Sequence, residues 1–284
     1  MMELGKKQSR LGLNPWRVDN MIAVLSDIHG NIQALDAVLV DMPQEVTDIL
    51  VLGDIVGGLA GSCKVMDRLM NLTTPLTAIL GNWEENLFDG KNGLHPEYWQ
   101  GTQFATLAWT IDTLQPQHWA FLEGLNRTLT FDKLDGGAFL FHAKPDDSFN
   151  GIHSQVQAEE AVKAYTKKWL ICGHTHQARL FRVGDQRVVT VGSVGHSVDK
   201  IGGVACYTLI DGDKVVFRYV SYDVGAAIAD IKASELPHIA PGFAKANALT
   251  IGSGRNYTHE LVHFARAYDG TWEEGEQAWI NSQE

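Results

Sequence analysis

The chain has 284 residues, 45% of them hydrophobic, enough for one large core or a core with an appendage. Its net charge of -11 argues against nucleic acid or an anionic membrane as a general partner. No apolar run reaches the ~18 residues of a membrane span, and three scattered cysteines, Cys63, Cys172 and Cys206, fit a reducing cytoplasm better than a disulfide scaffold.

Residues 1–20 hold basic residues but no apolar signal-peptide stretch, and read as an N-terminal extension. MIAVLSD (21–27) is a short apolar run ending on a polar residue, the pattern of a buried strand. In NIQALDAVLVDM (31–42), Ile32, Leu35, Val38 and Leu39 recur at helical spacing, and Pro43 stops the helix. DILVLGD (48–54) predicts a second strand, SCKVMDRLMNL (62–72) a helix, and LTAILGN (76–82) a third strand. This alternation predicts a parallel sheet covered by helices, with ligands gathering beyond the carboxyl ends of its strands.

The stretch 97–125 reads as helical and holds Trp99, Trp109 and Trp119, with core packing the default and a cap over the site the alternative. TLTFD and GAFLFHA (137–143) predict a hairpin, residues 154–166 a helix, and KWLICGHTH (168–176) another strand. From 178 to 222 the chain is β-rich with Gly-Asp and Asp-Gly-Asp turns, as in hairpins. Residues 224–284 return to helical spacing with a Gly/Asn-rich break near 246–256. The expected organisation is one α/β domain over 21–222, its second half more antiparallel, with residues 223–284 a helical C-terminal appendage packed on it.

Chemistry-bearing residues stand at the strand ends. SDIHGN supplies Asp27 and His29, which two positions apart on an extended chain point the same way. GDIVGG supplies Asp54, GNWE supplies Asn82, FLFHAKP supplies His142, and CGHTH supplies His174 and His176. Singly, a Gly-Asp reads as a turn and a buried His as a core residue. Together they form an imidazole and carboxylate set suited to Mn, Fe, Zn or Ni.

The ordered set D-x-H, G-D, G-N-x-[DE], H, G-H-x-H resembles the calcineurin-like metallophosphoesterases over residues 21 to about 222. That resemblance implies a four-layer α/β/β/α sandwich with two divalent transition metals, Mn or Fe foremost. Carried over by position, Asp27, His29 and His176 would hold one ion, Asn82, His142 and His174 the other, and Asp54 both. It implies phosphoester hydrolysis by a hydroxide bridging ions about 4 Å apart, with Asp54 and Asn82 as catalytic residues.

Members acting on demanding esters carry G-N-H-[DE], whose His serves as general acid; this chain has Trp83 there. An indole N–H donates a hydrogen bond but no proton at neutral pH. Trp83 either packs under a loop or stacks a flat group of the substrate. GNWEENLFDG, SDIHGNIQALDAVL and VGSVGHS are similar to a bacterial subgroup of asymmetric diadenosine tetraphosphate hydrolases and phosphodiesterases. The resemblance implies a nucleotide phosphodiester or phosphoanhydride as substrate. His196 is a candidate phosphate contact or a surface residue. Glu84 and Glu85 orient Trp83, repel dianions, or favour a helix N-terminus. The alternative functions are a phosphomonoesterase or protein phosphatase, and a metal- and nucleotide-binding protein with little turnover.

Overall fold

The computed structural model describes residues 20–94, 96 and 101–283. The N-terminal extension expected over residues 1–20, apart from Asn20, and Trp99 lie outside the described residues. In chain order the elements are β1 (Met21–Leu25), α1 (Ile32–Asp41), β2 (Val46–Val51), α2 (Ser62–Met70), β3 (Leu76–Ala78), α3 (Asn82–Lys91), α4 (Ala105–Thr113) and α5 (Pro116–Glu123). There follow β4 (Thr128–Phe131), β5 (Ala138–Phe141), α6 (Gln155–Val162), β6 (Trp169–Cys172), β7 (Arg179–Val183), β8 (Gln186–Thr190), β9 (Val204–Asp211) and β10 (Lys214–Ser221). The chain closes with α7 (Val224–Ala233), α8 (Leu236–Ile239), α9 (Pro241–Ser253), α10 (Tyr257–Ala267) and α11 (Trp272–Ser282). No described helix is long and apolar enough to cross a membrane.

Two five-stranded sheets form, in the orders β10-β9-β1-β2-β3 and β4-β5-β6-β8-β7. Alternation along each strand divides its side chains between two cores. Ile22 and Val24 of β1, Leu50 of β2, Leu140 of β5, Trp169 and Ile171 of β6 and Val189 of β8 meet between the sheets. Ala23, Leu25, Ile49 and Val51 turn outward under α1 and α2, joining Leu35, Val38, Val65 and Met66. On the far side Phe141, Leu170, Cys172 and Val188 pack under Ala158 and Val162 of α6. The layers are therefore helix, sheet, sheet, helix, as the resemblance implied. Strands buried on both faces read as continuous apolar runs, which is why they were visible in the sequence.

Several boundaries differ from expectation. The second half is the more antiparallel, as expected, through β4–β5, β7–β8 and β9–β10, although β5, β6 and β8 run parallel at the centre of the second sheet. The β9–β10 hairpin crosses back and pairs antiparallel with β1 in the first sheet. Turn chemistry marks a hairpin but does not say which sheet receives it. Strand β3 stops at Ala78, and Asn82 opens α3 rather than ending a strand. The expected break at 246–256 shrinks, because α9 runs to Ser253 and ends at Gly254, whose φ of 71° is left-handed. Trp119 packs into the core beneath α3, and Trp109 packs against α7–α9, so both follow the core default.

The C-terminal helices seat on the loop after β2, where Leu59 meets Ala227, Ile231, Leu236, Ala244 and Ile251. Leu50 sits fully buried between the sheets. Leu50→Ala is therefore expected to lower unfolding stability by ~2–5 kcal/mol, read from the urea midpoint; an unchanged midpoint would contradict the two-sheet core.

Candidate metal centre

Asp27 follows β1, Asp54 follows β2, His142 follows β5, His174 and His176 follow β6, and Asn82 opens α3. Main-chain hydrogen bonds knit these loops together. Asp27 N–H donates to Gly53 O at 3.1 Å, His29 N–H to Asp54 O at 2.9 Å, and Gly173 N–H to His142 O at 2.8 Å. The segment after β8 joins them, with Gly195 N–H donating to Asp27 O at 3.0 Å and Asn31 Nδ2 donating to Gly195 O at 2.8 Å.

The expected reason for the Asp-x-His pairing needs correction. Asp27 and His29 do not share one side of an extended strand. Both lie past its end in left-handed backbone, at φ 53° and 49°. Asp54 (51°), His174 (65°) and His176 (54°) do the same. Among the described residues only one other non-glycine position, Lys200, has positive φ. Such backbone costs ~1–3 kcal/mol per residue and persists only where the surroundings impose it.

Three imidazoles are turned by main-chain carbonyls. His142 Nδ1 lies 2.6 Å from Leu52 O, His176 Nδ1 2.7 Å from His196 O, and His174 Nε2 2.9 Å from Phe149 O. A carbonyl only accepts, so each of those nitrogens carries a proton and the other ring nitrogen faces inward. His142 Nε2 lies 3.4 Å from Asp54 Oδ2 and 3.0 Å from Asn82 Oδ1. His174 Nδ1 also lies 3.0 Å from Asn82 Oδ1. His176 Nε2 lies 3.3 Å from Asp27 Oδ1 and 3.2 Å from His29 Nε2, which is 3.6 Å from Asp54 Oδ2. The seven residues singled out from the sequence are thus brought together.

These donor atoms fit a cation. Asp27, His29, Asp54 and His176 each place a donor within 4.8 Å of the others. Asp27 Oδ1 is buried with no hydrogen-bond partner, and two imidazole nitrogens point at each other. Burial opposes charge on Asp27, yet His176, with His142 and His29, holds its carboxyl well below the usual range. Burial would lower the His142 pKa, but Asp54 beside it pushes it up to about 10. Burial depresses His29 to about 4. Protons thus supply the positive charge that two buried carboxylates need where the same lone pairs would meet a metal. Mixed nitrogen and oxygen donors suit Mn, Fe, Zn or Ni.

The cluster floors a cavity of about 1240 Å³ that Trp83 and His196 also line. Trp83 N–H donates to Asp54 Oδ1 at 2.8 Å, and its ring stands edge-on to His29 at 5.4 Å. The ring rests on Gly57, where φ is 82° and a Cβ would fall 2.3 Å from it. Trp83 is therefore both packed against a loop and part of the cavity wall. His196 is not on the surface: it is buried, with Nε2 3.1 Å from Asn247 Oδ1 of α9 and its carbonyl turning His176.

Comparison with known proteins identifies the family. Residues 21–213 match the family model of the calcineurin-like phosphoesterase superfamily domain. An uncharacterised protein of Methanocaldococcus jannaschii is 28% identical over 245 residues, covering 78% of this chain and 95% of that protein. A solved metallophosphoesterase from Sphaerobacter thermophilus is 22% identical with a TM-score of 0.68, over 83% of this chain and 99% of that one. A solved hypothetical protein from Pyrococcus horikoshii OT3 is 23% identical with a TM-score of 0.72, over 82% of this chain and 98% of that one. At these identities the two structures speak for the fold alone.

One residue's part was missed. Glu84 is fully buried, and its carboxylate accepts N–H groups from Asp54 and Gly81 on Oε2 and from Ile55 and Val56 on Oε1. It holds the Asp54 loop to the start of α3. Burial, and then the Asp54 carboxylate, push its pKa up to about 7, while the N–H groups of Gly81 and Val56 pull down. Both oxygens accept, so the loop binds the ionised form. A Glu three residues after a helix N-cap was the available signal. Glu84→Gln leaves donors facing an NH2, with an expected loss of roughly 2–5 kcal/mol in urea unfolding; a variant as stable as the parent would remove the loop-holding role.

Proposed function

Because this chain belongs to the calcineurin-like phosphoesterase superfamily, we propose that it hydrolyses phosphodiester or phosphoanhydride bonds of nucleotides, with substrates of the diadenosine tetraphosphate kind. Two divalent transition metals serve it, Mn or Fe foremost. Asp27, His29 and His176 would hold one, Asn82, His142 and His174 the other, and Asp54 both. When bound, the ions supply Lewis acidity toward phosphoryl oxygens and water.

The chain's own groups do the rest. Trp83 N–H binds Asp54 Oδ1, while Oδ2 is the oxygen nearest His29 and His142. Asn82 Oδ1 is faced by two imidazoles, which leaves its Nδ2 to donate to a phosphoryl oxygen. The left-handed loops hold these groups before substrate arrives.

The observation that carries the substrate class is Trp83 in the cavity wall, edge-on to His29. A general acid is worth ~10²–10⁴ in rate, and indole cannot serve as one. Alkoxide leaving groups suffer most from its lack. Phosphoanhydrides and aryl esters suffer least, because their leaving groups are already stable anions. The ring also offers a face for a base, worth ~1–3 kcal/mol where stacking occurs.

With Mn²⁺, turnover of diadenosine tetraphosphate and of an aryl phosphodiester is expected to exceed that of an aryl phosphomonoester. Strong preference for the monoester would overturn this reading and favour a phosphomonoesterase. Asp54→Asn is expected to bring turnover to background; retained turnover would remove Asp54 from the centre. Trp83→His is expected to raise rates on alkyl esters by ~10–10² while changing aryl esters little. Unchanged leaving-group selectivity, measured across a graded ester series, would return Trp83 to packing alone.

A further inference from the structure

The cavity reaches well past the cluster. Its wall also carries Lys200, from the loop between β8 and β9, Arg255, from the turn between α9 and α10, and His259, Glu260 and His263, from α10. The residues on α10 lie beyond the stretch 21–213 that matches the superfamily. In a chain of net charge -11 this wall holds two fixed cations and two imidazoles against one carboxylate. That carboxylate is engaged: Glu260 Oε1 accepts from Trp279 Nε1 and Gln283 Nε2, each at 3.3 Å, and Oε2 lies 3.5 Å from Arg255 Nη2.

The cations are placed by the backbone. Lys200 takes left-handed φ of 62° and donates its N–H to Gly254 O at 2.9 Å, so the loop and the end of α9 are tied together. A lysine bears strain there that glycine would not. The Arg255 guanidinium lies 4.9 Å from the Tyr257 ring centre. One turn apart on α10, His259 and His263 bring their Nε2 atoms within 2.9 Å. At that separation the Nε2–H of one ring donates to the Nε2 of the other, so the accepting ring carries its own N–H at Nδ1. A cavity of about 1240 Å³ is larger than typical small-molecule sites of roughly 300–1,000 Å³, room for more than the phosphate being cleaved.

We propose that Lys200, Arg255, His259 and His263 form a second phosphate-binding subsite, which holds a phosphate of the substrate other than the one attacked. This rests on the nucleotide reading above and adds to it a specificity wall supplied by the C-terminal helices. Lys200 and Arg255 provide the charge, and whichever histidine of the pair accepts from the other provides its Nδ1–H as a donor.

The test is a ratio within each protein, so that general damage to the centre cancels. Adenosine α,β-methylene diphosphate and adenosine monophosphate are titrated into Mn²⁺-loaded protein by calorimetry, and as inhibitors of aryl diester hydrolysis. The parent is expected to favour the diphosphate by about tenfold or more, the worth of one or two charged contacts. Lys200→Gly combined with Arg255→Gln is expected to reduce that preference to about one- to twofold, and Arg255→Lys to keep most of it. If the double variant does not fold, Arg255→Gln alone is read the same way. A parent with no preference, or a variant with the parent's preference, overturns the subsite. Calorimetry needs no turnover, so failure to hydrolyse nucleotides would sink the proposed reaction while leaving this result to stand or fall by itself.

Discussion

Two carboxylates with almost no access to water, Asp27 and Asp54, set the terms for everything around them. A buried charge must be met by opposite charge or by donors. Here three imidazoles, those of His29, His142 and His176, the backbone N–H groups of His174 and Trp83, and a seam between two sheets all turn toward them. The left-handed loops follow from the same demand. Only a sharp reversal just past a strand end brings Asp27, His29 and Asp54 onto one point, and the strain of that reversal is offset by the interactions it makes possible. Glu84 extends the pattern by one shell: a third buried carboxylate fixes the loop that carries the second.

The sandwich is the means of convergence. Each central strand is apolar on both faces because each sheet is covered twice, once by the other sheet and once by helices. Polar groups are thereby expelled to the strand ends. The first sheet delivers Asp27, His29 and Asp54, the second delivers His142, His174 and His176, and a centre between them exists only while the sheets stay packed. His196 and Asn247 carry this coupling outward. The carbonyl of His196 orients His176, its ring meets Asn247 of α9, and Asn247 Nδ2 reaches Gly58 O beside the loop of Asp54. The C-terminal helices are thus tied to the centre at two of its loops.

What the sequence made legible follows from this division. Apolar runs ending in Asp, His or Gly-Asn mark strands and their carboxyl ends, so all seven converging residues could be read from the sequence, whereas the four layers were implied only by the family resemblance. The true placement of those seven residues could not be read. Asp-x-His looks like two side chains on one side of a strand, whereas the pairing depends on φ values near 50° that no residue type other than glycine announces. Destination was equally hidden. The β9–β10 hairpin shows its turn in Asp-Gly-Asp, but its pairing with β1 depends on which sheet edge is open. Glu84 was visible as a helix-start glutamate, while its four donors come partly from a loop some thirty positions earlier.

Under the proposed function, Trp83 makes the centre and its selectivity separable. Its backbone N–H binds Asp54, a contact that any residue except proline could make. Its ring contributes nothing to that bond. The ring needs a companion instead, and Gly57, with left-handed backbone and no Cβ, makes the space it occupies. A smaller ring at position 83 would keep the amide contact and leave room over Gly57, so it could turn toward the cavity. The reverse exchange fails, since any side chain at Gly57 would meet the indole and strain the loop after Asp54. On the proposed reading, selectivity for the leaving group would change at position 83 alone, while the buried carboxylates and the groups that answer them stay as they are.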